Sequence, residues 1–244
     1  MREIRVFTDQ PLAIGSEVTL EDQVARHLGA VLRLKNGDPV TLFNGQGGEY
    51  PSHLTDCSSK RARAQILDYI AVDRESPLSI HLGIGLSRGD RMDWAIQKAT
   101  EAGVSEITPL YTERTEVKLK NDRREKKLSH WQHIVASACE QCYRNRLPVI
   151  HEPTSLQTWL NEISTDKKLV LHHRSEQTLK QLHAETPSSV ALLIGPEGGL
   201  SPDEIDTAIQ HDFEPLTLGP RIFRTETAPV IAITILQSVW GDFT

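Results

Sequence analysis

The first 72 residues alternate between apolar and polar positions in short runs that turn residues separate. These runs are EIRVF, EVTL, PVTLF, YPSHL and AQILDYI. Alternation with a period of two is typical of strands that bury one face. The segment NGQGG indicates a hairpin between the third and fourth runs, and EDQVARHLGAVLRL indicates one helical insert. We therefore predict a small β-barrel over residues 1–72.

A polar stretch that ends in proline, DRESP at residues 73–77, marks the predicted domain boundary. Beyond it, apolar runs alternate with segments of helical spacing. The predicted strands are LSIHLGIGL, SEITPLY, KKLVLHH, VALLIG and EPLTLG, and the predicted helices include RMDWAIQKATEAG, KKLSHWQHIVASACEQC and TAPVIAITILQSVW. Asp90 is a candidate N-cap and Gly103 a candidate helix stop. The alternation predicts an α/β domain with a mostly parallel sheet over residues 73–244.

Composition limits the possible functions. The chain has 244 residues and a formal net charge of −6, so bulk charge does not favour nucleic acid and an RNA-binding role needs local basic patches. No apolar segment has the length of a signal peptide or a membrane span, which predicts a cytoplasmic protein without membrane contact. Cysteines stand at Cys57, Cys139 and Cys142, an odd number that suits reduced thiols. The Cys139-x-x-Cys142 pair resembles half a zinc site or a redox motif. However, no partner pair lies at zinc-finger spacing and its flanks favour a helix, so we predict no metal.

Two glycine-proline loops follow consecutive predicted strands, LLIGPEGGLSPDEI at residues 192–205 and LGPRIFRTETAPV at residues 218–230. Neither contains the lysine of a P-loop, and Arg88 stands where a dinucleotide fingerprint needs its third glycine. The carboxyl edge of a parallel sheet is where open α/β folds bind ligands. The alternative is that both are tight turns, with Ser201 and Thr225 as helix caps. A glutamate among glycines favours a cationic ligand without phosphates, and S-adenosylmethionine has both properties.

In their order and spacing, these two motifs resemble the cofactor motifs of the SPOUT methyltransferase superfamily, and within it the RsmE family. The segments VLRLKNGDPVTLFNG, SRGDRMDWAIQKATEAGV, ITPLYTERT and ACEQCYRNRLP carry the resemblance along the chain. The resemblance implies methylation of N3 of a uridine in helix 44 of 16S ribosomal RNA, on the assembled small subunit. It also implies a PUA-like N-terminal barrel that binds RNA, a trefoil knot in the C-terminal domain and a homodimer. Spacing alone does not indicate a knot, because chain connections normally do not thread loops.

The resemblance further implies which residues hold S-adenosylmethionine. These are Leu171, Ile194, Gly195, Pro196, Glu197, Gly198, Gly199, Leu218, Gly219, Ile222, Phe223, Arg224 and Thr225. Phe223 departs from the family, which typically has an aliphatic residue there. Pro229 lies within the first turns of a helix, where proline is tolerated.

Methyl transfer to uridine N3 requires in-line positioning, a proton acceptor and positive charge beside O2 or O4. The candidate catalytic residues are Glu197, Arg221, Arg224 and Glu226. Either glutamate is a candidate to accept the proton or steer the sulfonium, and either arginine to face the uracil oxygens. Glu226 equally suits a helix start, where a carboxylate favours the dipole. Arg88, Arg91 and Glu101 are secondary candidates, although Lys98 and Glu101 also fit a solvated helix face.

Basic residues supply the predicted RNA contacts, although charge runs are usually solvated surfaces. They are Arg5, Arg26, Arg33, Lys35, Arg88, Arg91, Arg114, Lys118, Arg144 and Arg146. Two alternatives stay open at this point. One is a SPOUT enzyme with another target, such as a ribose 2′-hydroxyl or a tRNA base. The other is a non-catalytic ribosome-assembly factor whose glycine loops are only turns.

Overall fold

The structure is a computed structural model that describes residues 3–117, 119, 121–172 and 186–243. Its contacts divide the chain into two compact units. The first comprises Met1–Glu75 together with Ala136–Leu147, and the second comprises Ser76–Val135 and Pro148–Thr244. The division near Glu75 lies close to the boundary predicted from the sequence. The local pattern gave no indication that residues 136–147 belong with the N-terminal unit.

The first unit is built on a five-stranded sheet in the order β1-β3-β4-β5-β2. Its strands are β1 (Arg5–Phe7), β2 (Glu17–Leu20), β3 (Pro39–Phe43), β4 (Tyr50–Cys57) and β5 (Ala62–Ile66). Helix α1 (Asp22–Arg26) continues into a π-helical turn at His27–Val31. One buried apolar face packs around Leu28, Leu42 and Leu54. The strand and hairpin predictions are confirmed, and the unit has the curled, PUA-like sheet that the family resemblance implies.

The second unit contains a seven-stranded sheet in the order β12-β10-β11-β6-β7-β8, with β9 also paired to β7. Its strands are β6 (Ser79–Gly85), β7 (Glu106–Tyr111), β8 (Val149–Ile150), β9 (Thr154–Ser155), β10 (Lys167–Leu171), β11 (Ser189–Ile194) and β12 (Glu214–Leu216). The pairings are parallel. The helices are α2 (Asp90–Glu101), α3 (Asn121–Cys142), α4 (Leu156–Glu162), α5 (Pro202–Gln210) and α6 (Thr227–Trp240). The predicted parallel α/β fold is confirmed, whereas β8, β9 and α4 were not predicted.

The helix ends follow the sequence signals in part. Ser201 and Glu204 form a reciprocal capping box at the start of α5, as predicted. Helix α2 ends ahead of Gly103, whose positive φ of 92° stops it. Asp90 is the first helical residue and not the N-cap, so that prediction is wrong by one position. The N-cap of α6 is Glu226, which corrects the prediction of Thr225. None of the described helices has the length and apolarity that a membrane span needs.

Candidate active site

The carboxyl ends of three adjacent strands open into one cavity of about 470 Å³. Leu171, Ile194 and Leu216 are the last residues of β10, β11 and β12, and all three line it. We call the chain after β11, residues 195–200, the first loop, and the chain after β12, residues 217–226, the second loop. In the sheet only β10 lies between β11 and β12, so the two loops that follow these strands are close to each other. This is the edge at which parallel sheets bind ligands.

The first loop is folded tightly on itself and against β6, so that a side chain does not fit at Gly195 or at Gly85. The Gly199 N–H donates to the Pro196 carbonyl over 2.8 Å and closes a turn. A Cβ on Gly195 would lie 2.7 Å from the Leu200 backbone nitrogen, and one on Gly85 would lie 2.4 Å from that of Pro196. Gly199 has a φ of 68°, and its missing Cβ would meet nothing within 4 Å. The loop therefore packs tightly on the sheet side and is open on the other.

The second loop turns from β12 into helix α6. Gly219 has a φ of 110° with open space where a Cβ would lie. The Arg224 carbonyl accepts hydrogen bonds from the N–H groups of Thr227 and Ala228, both over 2.9 Å, and this turn begins the helix. The N-terminus of α6 is therefore at the cavity, where its partial positive charge favours a negative group.

Every residue that the resemblance implies for cofactor binding lines this cavity, as do the four candidate catalytic residues. Further residues of the wall, outside the predicted cofactor set and the four main catalytic candidates, are Arg91, which is a secondary candidate, and Arg114, His172, Leu200, Ile205, Leu216, Thr217 and Ala228. Most of these are chain neighbours of predicted residues. Arg91 and Arg114, by contrast, follow β6 and β7, and only the sheet order brings the ends of those strands beside the first loop.

Glu197 is held in its ionised form by neighbouring donors. Its carboxylate accepts from the Arg91 guanidinium over 3.1 Å and from the Arg88 backbone N–H over 3.2 Å. Burial alone raises the pKa of the Glu197 carboxyl, but hydrogen bonds from its own backbone N–H, from Arg88 and from Arg91 outweigh burial and lower the pKa below its usual value. A carboxylate with a lowered pKa is a weak base. Glu197 therefore suits holding Arg91 in place better than accepting a proton.

The loop after β7 braces the first loop from the side. Arg114 Nη1 donates to the carbonyl oxygens of Gly198 at 2.9 Å and Leu200 at 3.4 Å. The Glu113 N–H donates to Glu204 Oε1 over 2.7 Å. Here a second cavity of about 780 Å³ adjoins the first, and Arg91, Arg114, Glu197 and Gly198 line both. The site thus has two compartments with a shared wall of charged side chains.

Three charged residues of the second loop line the first cavity. Arg221 and Arg224 are exposed and Glu226 is half-buried. Within the described ranges, no side chain pairs with any of the three. Their charges are therefore available to a bound molecule, in contrast to the paired charge of Glu197.

The predicted RNA-binding residues divide into several groups. Arg5 and Arg144 are buried. Arg5 forms an ion pair with Glu49 and Arg144 forms one with Glu75, and both pairs lie within the first unit. A guanidinium enclosed in this way does not reach a phosphate, so we remove both from the RNA-binding set. Lys118 lies outside the described residues.

The other basic residues of that set are at the surface. Arg26, Arg33 and Lys35 are exposed in the first unit. Arg146 is exposed but pairs with Asp73 over 3.2 Å, and Arg88 pairs with Glu116 over 2.8 Å. These last two pairs are solvent-accessible, and such pairs exchange partners easily.

The remaining candidates lie apart from the cavities. Lys98 Nζ pairs with Glu101 over 2.7 Å on α2, and neither residue lines a described cavity, which favours the helix-face interpretation. Cys139 and Cys142 lie in the last turn of α3, as the helical pattern predicts. A side-chain hydrogen bond with Cys142 and burial raise the pKa of the Cys139 thiol, which keeps Cys139 protonated.

The chain is similar to several known proteins. Residues 74–237 match the RNA methyltransferase domain family, and residues 20–67 match the RNA methyltransferase PUA domain family. The ribosomal RNA small subunit methyltransferase E of Buchnera aphidicola subsp. Acyrthosiphon pisum is 38% identical over 240 residues, covering 98% of this chain and 94% of the relative. The enzyme of that name from Bacillus subtilis is 29% identical over 239 residues, covering 95% of this chain and 93% of the relative.

Solved structures agree with these sequence matches. Ribosomal RNA small subunit methyltransferase E from Neisseria gonorrhoeae, bound to S-adenosyl methionine, superposes with a TM-score of 0.91 at 38% identity over 100% of both chains. A Legionella pneumophila protein in complex with the bound cofactor SAM gives a TM-score of 0.96 at 40% identity, again over 100% of both chains. The family resemblance inferred from the glycine motifs is confirmed. The chain therefore belongs to the ribosomal RNA small subunit methyltransferase E family, RsmE.

Proposed function

We propose that this protein transfers a methyl group from S-adenosylmethionine to N3 of a uridine in helix 44 of 16S ribosomal RNA, on the assembled small subunit. One observation carries the proposal: two glycine loops at the carboxyl edge of the sheet line one cavity, together with charged side chains of the second loop that pair with no side chain in the described part of the chain. Family membership and the cofactor bound in the Neisseria relative support the same reaction.

The cavity suits S-adenosylmethionine better than a nucleoside phosphate. Leu171, Ile194 and Leu216 offer an apolar wall for an adenine ring, and glycine backbone offers donors and acceptors for its edge. The missing Cβ groups of Gly199 and Gly219 would meet nothing within 4 Å, so each loop leaves room for a ligand. The molecule also carries a carboxylate, for which the cavity arginines are suitable partners. When bound, it would supply an electrophilic methyl group.

The second loop carries the groups that the reaction needs. Arg221 and Arg224 stabilise the negative charge that develops on the uracil oxygens as N3 loses its proton. Glu226 accepts that proton, because its carboxylate is half-buried at the cavity and has no internal partner among the described residues. Glu197 instead holds Arg91 over 3.1 Å in the wall shared by the two cavities.

RNA binding uses both units in this proposal. The second cavity, lined by Arg88, Arg91 and Arg114, adjoins the first at the first loop and accepts the target nucleotide. Arg26, Arg33 and Lys35 on the first unit contact phosphates of the ribosomal RNA. An assembled subunit is a better substrate than a bare stem-loop, since the target base must leave its stack at an energy of about a few kcal/mol.

Other parts of the proposal rest on the family. We assign residues 1–72 as the RNA-binding PUA-like domain and residues 73–244 as the methyltransferase domain with a trefoil knot. The active form is a homodimer that acts in the cytoplasm, where small ribosomal subunits are assembled. The chemistry needs no metal ion, because the sulfonium already makes the methyl group electrophilic.

Mass mapping of nucleosides tests the proposed activity. Small subunits from cells that lack the protein are incubated with the purified chain and S-adenosylmethionine, and the ribosomal RNA is then digested and analysed. We expect one new 3-methyluridine in helix 44, and its absence from control subunits incubated without the protein. A methyl group on a ribose, on another base or on transfer RNA would contradict the proposal, as would cofactor binding without any transfer.

A further inference from the structure

Two histidines and one glutamate meet on a face of the parallel sheet that α4 covers. In the sheet register His81 of β6 lies beside Glu106 of β7, and Glu106 lies beside Val149 of β8. His151 follows Val149 by two residues and therefore points to the same side. His81 and Glu106 lie near the amino ends of β6 and β7, and His151 follows β8 beside the amino end of β7, whereas the glycine loops follow carboxyl ends of the sheet. The group is therefore separate from the proposed active site.

The three side chains converge on one point. Glu106 Oε2 lies 2.7 Å from His151 Nε2 and 3.7 Å from His81 Nδ1. The two imidazole rings stack with centroids 5.3 Å apart and planes inclined by 16°. One ligand atom from each residue lies within 4.8 Å of the other two. Ligands of a tetrahedral zinc ion are roughly 3.3 Å apart, because each is about 2.0 Å from the metal. Small side-chain movements would therefore complete the coordination.

We propose that His81, Glu106 and His151 bind a Zn²⁺ ion. Two imidazoles and a carboxylate suit zinc, whereas Mg²⁺ and Ca²⁺ prefer an all-oxygen set. The side chains of Glu106 and His151 are 41% and 40% exposed, so an ion can enter from solvent. Water occupies the fourth position. The ion bridges β6, β7 and the chain after β8, and it stabilises the folded sheet without taking part in methyl transfer.

The surroundings of His81 limit the affinity. Its Nε2 lies 2.7 Å from Thr108 Oγ1 and accepts from the Trp159 indole N–H over 3.3 Å. Coordination through Nδ1 places the ring proton on Nε2, where Thr108 Oγ1 accepts it and fixes the ring. The Trp159 indole then loses its acceptor. We therefore expect binding that is weaker than in a zinc site whose outer hydrogen bonds are all retained.

Calorimetric titration of the untagged full-length chain with zinc chloride, after chelator treatment, tests the site. We expect one Zn²⁺ per chain, a higher midpoint of thermal unfolding, and no response to Mg²⁺. Replacing zinc with Co²⁺ provides a spectroscopic signature, because four-coordinate Co²⁺ absorbs strongly in the visible range. Both His151→Asn and Glu106→Gln are expected to weaken binding at least tenfold and to abolish that absorption.

The matched control is His133→Asn, which removes an exposed histidine of α3 outside the group. It is expected to bind zinc as the unaltered chain does. Equal affinity in the His151→Asn and His133→Asn variants would overturn the proposal, and so would six-coordinate Co²⁺ spectra or no stoichiometric binding. If His151→Asn fails to fold, Glu106→Gln decides the question, because it preserves side-chain size. A group without zinc affinity is simply a hydrogen-bonded His–Glu–His cluster.

Discussion

The Arg91 guanidinium donates to the Glu197 carboxylate over 3.1 Å, across the wall that separates the two cavities. This pair assigns different roles to the two glutamates of the glycine loops. Glu197 is ionised and already accepts hydrogen bonds from Arg88 and Arg91, and these donors lower its pKa despite partial burial. Glu226 lines the same cavity and has no partner among the described side chains. The proposed function therefore depends on Glu226 for proton removal and on Glu197 for positioning.

Comparison of Glu226→Gln with Glu197→Gln tests these roles. Loss of a general base reduces the turnover number by about 10²–10⁴-fold, and we expect that loss for Glu226→Gln with little change in cofactor affinity. Glu197→Gln releases Arg91, so we expect a higher KM for the ribosomal subunit and a smaller reduction in kcat. Methyl transfer from labelled S-adenosylmethionine under saturating and limiting subunit concentrations separates the two effects. A larger kcat loss in Glu197→Gln would reverse the assignment.

The first loop offers a test of the cofactor cradle that separates steric exclusion from backbone strain. A Cβ on Gly195 would lie 2.7 Å from the Leu200 nitrogen, so Gly195→Ala must displace the loop. The control Gly37→Ala lies outside the loop and meets no atom within 4 Å, but its φ of 91° strains an alanine by about 1–2 kcal/mol. We expect calorimetry to show at least a tenfold loss of cofactor affinity for Gly195→Ala. For Gly37→Ala we expect only a lower midpoint of thermal unfolding. Unchanged affinity in Gly195→Ala would exclude the first loop from the binding site.

The buried pair of Arg5 and Glu49 predicts acid sensitivity in the first unit. Burial raises the pKa of the Glu49 carboxyl, but hydrogen bonds and charge from Arg74 and Arg5 outweigh it, so the pKa in the folded protein lies below its usual value. A carboxyl group whose pKa is lower in the folded than in the unfolded protein stabilises the fold. This stabilisation is complete above the pKa of the unfolded protein and disappears as the pH falls through the pKa of the folded protein. The free energy of unfolding, measured with denaturant, should therefore decrease progressively below about pH 4.5.

Substitution of Glu49 checks the source of this pH dependence. Glu49→Gln leaves the Arg5 guanidinium buried beside an uncharged amide, and we expect about 3–5 kcal/mol of destabilisation at neutral pH. The control Glu17→Gln removes an exposed carboxylate that lies 3.4 Å from Arg63, and surface pairs contribute about 0–1 kcal/mol. The difference between the two variants should diminish in acid. Equal effects at pH 7 would show that the Arg5 pair does not stabilise the fold.

Local sequence signals predict most of the fold and the two glycine loops. Alternation with period two, helical spacing and the Ser201–Glu204 capping box are properties of neighbouring residues, and they indicate the strands, the helices and the start of α5. The cavity was predictable because both loops follow strands of one parallel sheet. The short strands β8 and β9 carry too few residues for a recognisable period, which explains why they were not predicted.

Contacts between distant residues were not predictable in this way. Arg5 pairs with Glu49, 44 positions away, and Arg144 with Glu75, 69 positions away. A basic residue in a charged segment has the same sequence appearance whether its partner is a phosphate or a buried carboxylate. Likewise, Arg91 and Arg114 reach the first loop only because β11 inserts beside β6. Burial of a charge depends on the three-dimensional fold, which explains why the set of RNA contacts needed correction while the loops did not.

This correction leads to a prediction about salt dependence. Each phosphate contact contributes about 0.7–0.9 to the slope of log affinity against log salt concentration. Arg33 and Lys35 are exposed in the first unit, so Arg33→Ala and Lys35→Ala should each reduce the slope for small-subunit binding by about that amount. Arg144→Ala should leave the slope unchanged and lower the stability of the chain instead, because Arg144 is buried against Glu75. Filter binding across a salt series measures the slope, and thermal unfolding measures the stability. A reduced slope in a folded Arg144→Ala protein would show that Arg144 contacts RNA. Unchanged slopes for both Arg33→Ala and Lys35→Ala would show that this part of the first unit does not contact RNA.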